Sequence, residues 1–175
     1  MRTPYNIESL RYFCAKILPL VRRQVPGVQV MVVGAMPRSN ILREFSCAPV
    51  NFLGFQRDLT FYLRRDPILI APVVTGSGVR TKIVEAFAQG MAVVSTSMGV
   101  SGLSAANGED ILLGDTDEDF AAQVVRVMTN QRLRNRIQAG ALARFRDSYR
   151  YEAVKEHTLT AYEQIASKVT RRVIA

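Results

Sequence analysis

The chain has 175 residues, 48% of them hydrophobic and 22% charged, which is enough apolar material for the core of one ordinary domain. Lys and Arg outnumber Asp and Glu by 23 to 15, a net charge of +8, so the surface attracts anions: nucleotide phosphates, nucleic acid or an acidic membrane leaflet. No apolar run approaches the roughly 20 residues of a membrane span, and Met1-Arg2-Thr3-Pro4 lacks the apolar stretch of a secretory leader, so a cytoplasmic location is expected.

Apolar residues Ile7, Leu10, Cys14, Ile17, Leu18 and Val21 recur at helical spacing, with Pro19 expected to kink or shorten the helix they form. Cys14 and Cys47 are too few for a disulfide framework or a zinc site, and beside Phe13 and Phe45 both read as buried thiols. Val28 to Val33, Val50 to Phe55 and Ile68 to Val73 are apolar, largely β-branched runs that predict buried strands. Short helices are expected between them, at Ser39 to Phe45 and, capped by Asp58, at Asp58 to Arg64. A stronger helix from Val79 to Gln89 stops at Gly90 and leads into a strand at Ala92 to Thr96, with a last strand at Ile111 to Leu113.

From Thr116 the pattern is wholly helical. Thr116 with Asp119 suggests a capping box ahead of a stripe of Phe120, Val124, Val127 and Met128. A second helix carries Leu133, Ile137, Ala141 and Phe145, and a third carries Val154, Thr158, Ala161, Ile165 and Val169, with Lys168, Arg171 and Arg172 at its end. Strands alternating with helices imply an α/β fold, a doubly wound parallel sheet that binds ligands at its strands' carboxyl ends. The expected organisation is a single domain over 1–175, with a Rossmann-like core over 1–115 and helices from 116 to 175 packing on it. Such a sheet ordinarily opens on a strand, whereas this sequence opens on a loop and a helix, so its first strand is expected to be missing.

The segment Thr75-Gly76-Ser77-Gly78-Val79-Arg80-Thr81-Lys82 joins a buried strand to a helix through a glycine loop, so amides near Gly78 and Val79 are expected to converge at a helix N-terminus, an anion site suited to a diphosphate. Arg80 and Lys82 in the first turn are unfavourable beside an empty helix N-terminus and become useful when an anion arrives. Glu85, one turn beyond Lys82, has a carboxylate able to accept two hydroxyl hydrogen bonds, as a ribose offers. The competing reading is structural: the glycines make a tight turn, and Lys82 with Glu85 is a surface pair worth a few tenths of a kcal/mol.

The run from Gly76 to Thr96 resembles the donor-site signature of bacterial retaining glycosyltransferases of the GT-B fold, the glycosyl transferases group 1 family. Pro4-Tyr5-Asn6, Val32-Val33-Gly34, Phe52-Leu53-Gly54-Phe55 with Asp58, and Gly99-Val100-Ser101-Gly102-Leu103 resemble further segments of that family's C-terminal domain, in the same order. The resemblance covers roughly residues 4 to 165. It implies that Glu85 holds the nucleotide ribose, that the backbone at Gly78 and Val79 with Arg80 and Lys82 holds the diphosphate, and that Gly54, Phe55 and Gly34 face the base. The first acid of the family's paired-glutamate pattern falls at Ser77, which departs from it and has no carboxylate to offer the donor sugar.

The resemblance further implies a nucleotide-sugar donor (UDP-, GDP- or similar), a glycan or lipid-linked acceptor in cell-envelope polysaccharide synthesis, and an N-terminal acceptor domain absent from this sequence. It requires no metal or other cofactor. The alternative is a non-catalytic nucleotide or sugar-phosphate binding module, and a homodimer is the expected cover for surfaces left open. Asp115, Asp117 and Asp119 alternate like metal ligands but read as helix caps. His157 lacks a second ligand nearby and reads as structural. Arg126, Arg132, Arg134, Arg136, Arg144, Arg146 and Arg150 read as a solvated helix face, with peripheral contact to anionic lipid at the membrane's inner face as the alternative. No aromatic-rich strand or recognition motif supports nucleic-acid binding.

Overall fold

The structure, a computed structural model, describes residues 4–46, 48–76 and 78–173, with side chains through residue 166. Helix α1 (Pro4–Tyr12) runs through a π-helical turn, Phe13–Ile17, into α2 (Leu18–Gln24). The kink expected at Pro19 is instead a widened turn. The ring has no N–H to donate, and just before it the Leu18 N–H bonds to the Phe13 carbonyl, five residues back. Next come β1 (Val30–Val33), α3 (Ser39–Glu44), β2 (Val50–Gly54), α4 (Thr60–Leu63) and β3 (Ile68–Ala71). Asp58 does cap α4, its Oδ1 accepting the Thr60 N–H at 2.8 Å. The chain continues through α5 (Thr81–Ala88), β4 (Ala92–Ser95), β5 (Leu112–Leu113), α6 (Asp117–Thr129), α7 (Gln131–Ser148) and α8 (Tyr151–Val173).

Every strand pairing is parallel, as the alternation of strands and helices requires, but the strands form two sheets: β1 with β2, and β3-β4-β5. Strand β4 shows the layering. Ala92 and Val94 enter one core cluster with Phe13, Ile17 and Val21 of the N-terminal helices and Phe120, Val124 and Val127 of α6. Val93 points the other way, into a second cluster with Ile83 and Phe87 of α5 and Ala141 of α7. Period-two alternation with both faces apolar is what a strand between two helical layers needs. All four β4 residues are buried, whereas Ile68, Leu69 and Ile70 of β3, which has a ladder partner on one side only, are half-buried.

The C-terminal helices follow their caps. Thr116 Oγ1 accepts the Asp119 N–H at 3.0 Å and Asn130 Oδ1 accepts the Leu133 N–H at 3.0 Å. Leu133, Ile137 and Ala141 are buried as their spacing predicts. Helix α8 differs: Tyr151, Val154, Tyr162 and Ile165 are all at least 45% exposed, so its apolar stripe is not packed against the core. Val169, Lys168, Arg171 and Arg172 lie beyond the described side chains. Cys14 is half-buried rather than buried, its thiol pushed up to about 11 by desolvation, and Cys47 lies outside the described residues. The arginine stretch is only partly a solvated face, since Arg134 reaches Asp66 at 3.0 Å and Arg144 reaches Asp110 at 2.7 Å. His157 is exposed on α8.

Candidate functional site

The carboxyl ends of β3 and β4 are sewn together by hydroxyls. Ser95 Oγ donates to the Ala71 carbonyl at 3.1 Å and Thr96 Oγ1 to the Val73 carbonyl at 2.8 Å, both buried. These residues were not singled out from sequence; Ser and Thr closing an apolar strand were the available signal. The loop from Pro72 to Arg80 springs from this fixed base. Gly76 and Gly78 hold φ of 99° and 86°, a region open to glycine at little cost. A Cβ at Gly76 would lie 3.2 Å from Arg80 Nη2 and 3.7 Å from the Tyr5 ring, while one at Gly78 would meet nothing within 4 Å. The loop is therefore crowded at Gly76 and open to solvent at Gly78.

Helix α5 starts two residues later than its sequence pattern predicts. Arg80 is the N-cap, with φ −87° and ψ 85°, and Gly78 and Val79 stay in the loop. Arg80 is thus outside the first helical turn, and its Nη2 reaches back to the Thr75 carbonyl at 3.4 Å. Lys82 does lie in the first turn and is half-buried. Burial, then the neighbouring Arg80 charge, lowers its pKa below the usual 10.5. Among the described residues Lys82 makes no ion pair, so the surface pair with Glu85 that the competing structural reading required does not form. Glu85 is exposed one turn further along. Ser77 lies outside the described residues.

Two walls flank the loop. On one side α1 comes close, with Thr75 Oγ1 donating to Glu8 Oε2 at 3.0 Å and the Tyr5 ring beside Gly76. On the other lies the connection from β4 to β5, where a Cβ on Gly102 would sit 3.7 Å from Val79 Cγ2. Asp115, expected to cap α6, anchors the start of that connection by accepting the Ser97 N–H at 2.7 Å and the Ser97 hydroxyl at 2.6 Å. Asp117 accepts the Tyr12 hydroxyl at 2.6 Å. Asp115 is thus committed to Ser97 rather than to the helix, while Asp117 and Asp119 lie in the first turn of α6, where a carboxylate favours the helix dipole.

Gly34 and Gly54, from different strands, meet where β1 and β2 end: the Gly34 N–H donates to the Gly54 carbonyl at 2.9 Å, with φ of 124° and 69°. Phe55 follows with 76% of its surface exposed. The candidate residues therefore fall into two groups, one at the ends of β1 and β2 and one in the loop from Thr75 into α5. Among the described residues no hydrogen bond joins the two. The second group gathers two half-buried cations, Arg80 and Lys82, beside an exposed glycine loop, an arrangement fitted to a polyanion.

Comparison with known proteins agrees with this architecture. The family model for Glycosyl transferases group 1 matches residues 1–130. An uncharacterized 44.6 kDa protein in the cps region of Klebsiella pneumoniae is 26% identical over 136 residues, 73% of this chain and 35% of that protein. The C-terminal domain of a glycosyl transferase group 1 family protein, LpcC of Francisella tularensis, superposes with a TM-score of 0.65 at 16% identity, covering 86% of this chain and 83% of that one. Anabaena HepE in complex with UDP superposes at 0.62 with 19% identity, over 97% of this chain and 54% of HepE. At these identities the structural likeness is one of fold. The chain spans about a third of the Klebsiella relative and about half of HepE.

Proposed function

The chain belongs to the glycosyl transferases group 1 family, and on that premise we propose that it is the donor-binding module of a retaining glycosyltransferase. The observation that carries this reading is Lys82, a half-buried ammonium beside Arg80 with no ion pair among the described residues, at the mouth of a glycine loop. Burying a cation without an acid is costly, and an arriving diphosphate removes that cost. Arg80, Lys82 and the amides at Gly78 and Val79 take the diphosphate. Glu85 takes the ribose hydroxyls, and Gly34, Gly54 and Phe55 face the base. Helix α1 lies against the same loop through Tyr5 and Glu8.

In this reading the anomeric carbon–oxygen bond breaks with its electron pair passing to the diphosphate, and the clustered positive charge stabilises the leaving group. Arg80 and Lys82 supply that charge from this chain's own side chains. The acceptor hydroxyl bonds to the anomeric carbon on the face the diphosphate leaves, its proton passing to the departing phosphate oxygen. The acceptor is a glycan or lipid-linked saccharide, in keeping with the cps-region relative, and a separate N-terminal domain holds it. UDP is the first nucleotide to try, because a protein of the same fold, HepE, has been seen with it.

Calorimetric titration of the chain with UDP, GDP and their sugar conjugates tests the reading. One nucleoside diphosphate should bind, and Glu85→Ala should weaken it about tenfold or more, the scale of a lost hydrogen bond to a charged group. No binding of any diphosphate at millimolar concentration, or unchanged affinity in Glu85→Ala, overturns the donor assignment or the ribose role respectively.

A further inference from the structure

The connection from Ser95 to Leu112 has no regular helix or strand, yet it is pinned at three places, which is unusual for a long loop without a task. Its start is held by Asp115 on Ser97, at 2.7 and 2.6 Å. Its end is held by Asp110, a carboxylate only 3% exposed, whose Oδ1 accepts the Ala106 N–H at 2.8 Å while its Oδ2 pairs with Arg144 at 2.7 Å. Its middle is held by one phenol. The Tyr149 hydroxyl accepts the Ser104 N–H at 2.6 Å and faces the Ser104 carbonyl at 3.4 Å, so one side chain serves both backbone groups of one residue.

Arg144 lies in α7, and Tyr149 directly follows that helix. Between the anchored points Met98 is 48% exposed, and Gly102 lies close enough to Val79 that a Cβ on it would sit 3.7 Å from Val79 Cγ2. Val100 and Leu103 of the same connection pack in the cluster that holds Ile83 and Phe87 of α5 together with Phe145 and Tyr149. A packed path thus runs from the end of α7 through this loop to α5, with Gly102 facing Val79.

We propose that Tyr149 and Arg144 are positioning residues for donor binding. By fixing the connection between β4 and β5 they hold Val100 and Leu103 against α5 and Gly102 close to Val79, and so hold the Val79 amide and the start of α5 in the arrangement that receives the diphosphate. This rests on the diphosphate reading given above. The Ser104 anchor lies at an exposed position, where water replaces a lost hydroxyl, so removing the hydroxyl loosens the loop without unfolding the domain.

The test uses Tyr149→Phe and Arg144→Lys in the full 175-residue chain, with UDP titration, thermal unfolding and amide hydrogen exchange. Tyr149→Phe should melt within a few degrees of the parent and exchange faster at Gly102 to Ser104. It should bind UDP about three- to tenfold more weakly, the scale of one neutral hydrogen bond. Arg144→Lys, which keeps the charge beside Asp110, should fall between Tyr149→Phe and the parent in affinity. Faster exchange in this loop with parent-like UDP affinity overturns the positioning role. Exchange that rises uniformly across the chain shows a structural role instead and also overturns it. If the parent binds no nucleoside diphosphate, the donor reading fails, while the exchange measurement still decides whether Tyr149 fixes the loop: unchanged exchange at Ser104 overturns the clamp by itself.

Discussion

Replacing Gly140 by alanine pits two effects against each other. Gly140 sits inside α7, where alanine is intrinsically better by about 1 kcal/mol. A Cβ there would lie 2.1 Å from the Glu109 carbonyl oxygen, 2.9 Å from its carbon and 3.1 Å from Asp110 Cα, all of them backbone atoms that cannot rotate away. Restoring the 3.0 Å that real Cβ contacts respect requires α7 and the loop to separate by about 0.9 Å. Arg144 is one turn further along the same helix, and the same retreat stretches its 2.7 Å bond to Asp110 past hydrogen-bonding range.

Asp110 is 3% exposed on its side chain, and leaving such a carboxylate without its cation costs about 3–5 kcal/mol. After the helix-propensity gain, Gly140→Ala should lose about 2–4 kcal/mol, a fall of roughly 5–15 °C in melting temperature for a domain of this size. Urea unfolding followed by circular dichroism measures it. A variant as stable as the parent would mean that the Glu109 carbonyl yields freely and that the α7 contact is not tight.

Further outcomes follow from Lys82 and the loop glycines. Lys82→Met should raise the stability of the free domain, because a half-buried cation beside Arg80 is removed, while lowering UDP affinity at least tenfold; lower stability in denaturant titration would contradict the electrostatic account. Since the folded-state pKa of Lys82 lies below 10.5, the folded chain binds fewer protons than the unfolded one between that depressed value and 10.5. The lysine's contribution to stability therefore rises with pH in that alkaline window, and the rise should be absent from Lys82→Met and so stand out in the parent-minus-variant difference curve. UDP binding, which favours the charged lysine, should take up protons there, visible as a buffer-dependent binding enthalpy. Gly78→Ala should cost about 1 kcal/mol from its positive φ alone, with no clash, whereas Gly76→Ala also pushes on Arg80 and should lose more.

Much of this was legible in the sequence because local rules and packing agreed. The positions of the five strands, the Thr116 cap and the buried Leu133-Ile137-Ala141 stripe follow from periodicity and capping chemistry, whereas the burial expected of the first two strands fails, with Met31 and Val33 of β1 and Asn51 of β2 exposed. Helix α5 starts later than its pattern because the apolar period carries no information on where backbone dihedrals turn helical; Val79 fits the stripe but lies in the loop. The π-helical turn was hidden because proline announces a broken ladder, not how the chain repairs it. Asp115, Arg144 and Tyr149 were misread or missed for a common reason. Their partners are distant in sequence, as Ser104 is from Tyr149, and composition cannot reveal a pairing of that kind. The α8 stripe was read correctly as a pattern, but an amphipathic period does not say what it packs against.

The division of the strands into two ladders has a mechanical consequence. Each ladder is stiff along its hydrogen bonds. Among the described residues, however, no named strand of one ladder pairs with the other, and both rest on the apolar cluster built by Phe13, Ile17 and Val21. Apolar contacts resist separation better than they resist sliding, so nothing in the pairing of the described strands opposes shear between the Gly34–Gly54 edge and the glycine loop as a ladder bond would. A rigid molecule gripping both edges would act as a crossbar, and its tightness would register as a stiffer whole rather than as a change in either ladder.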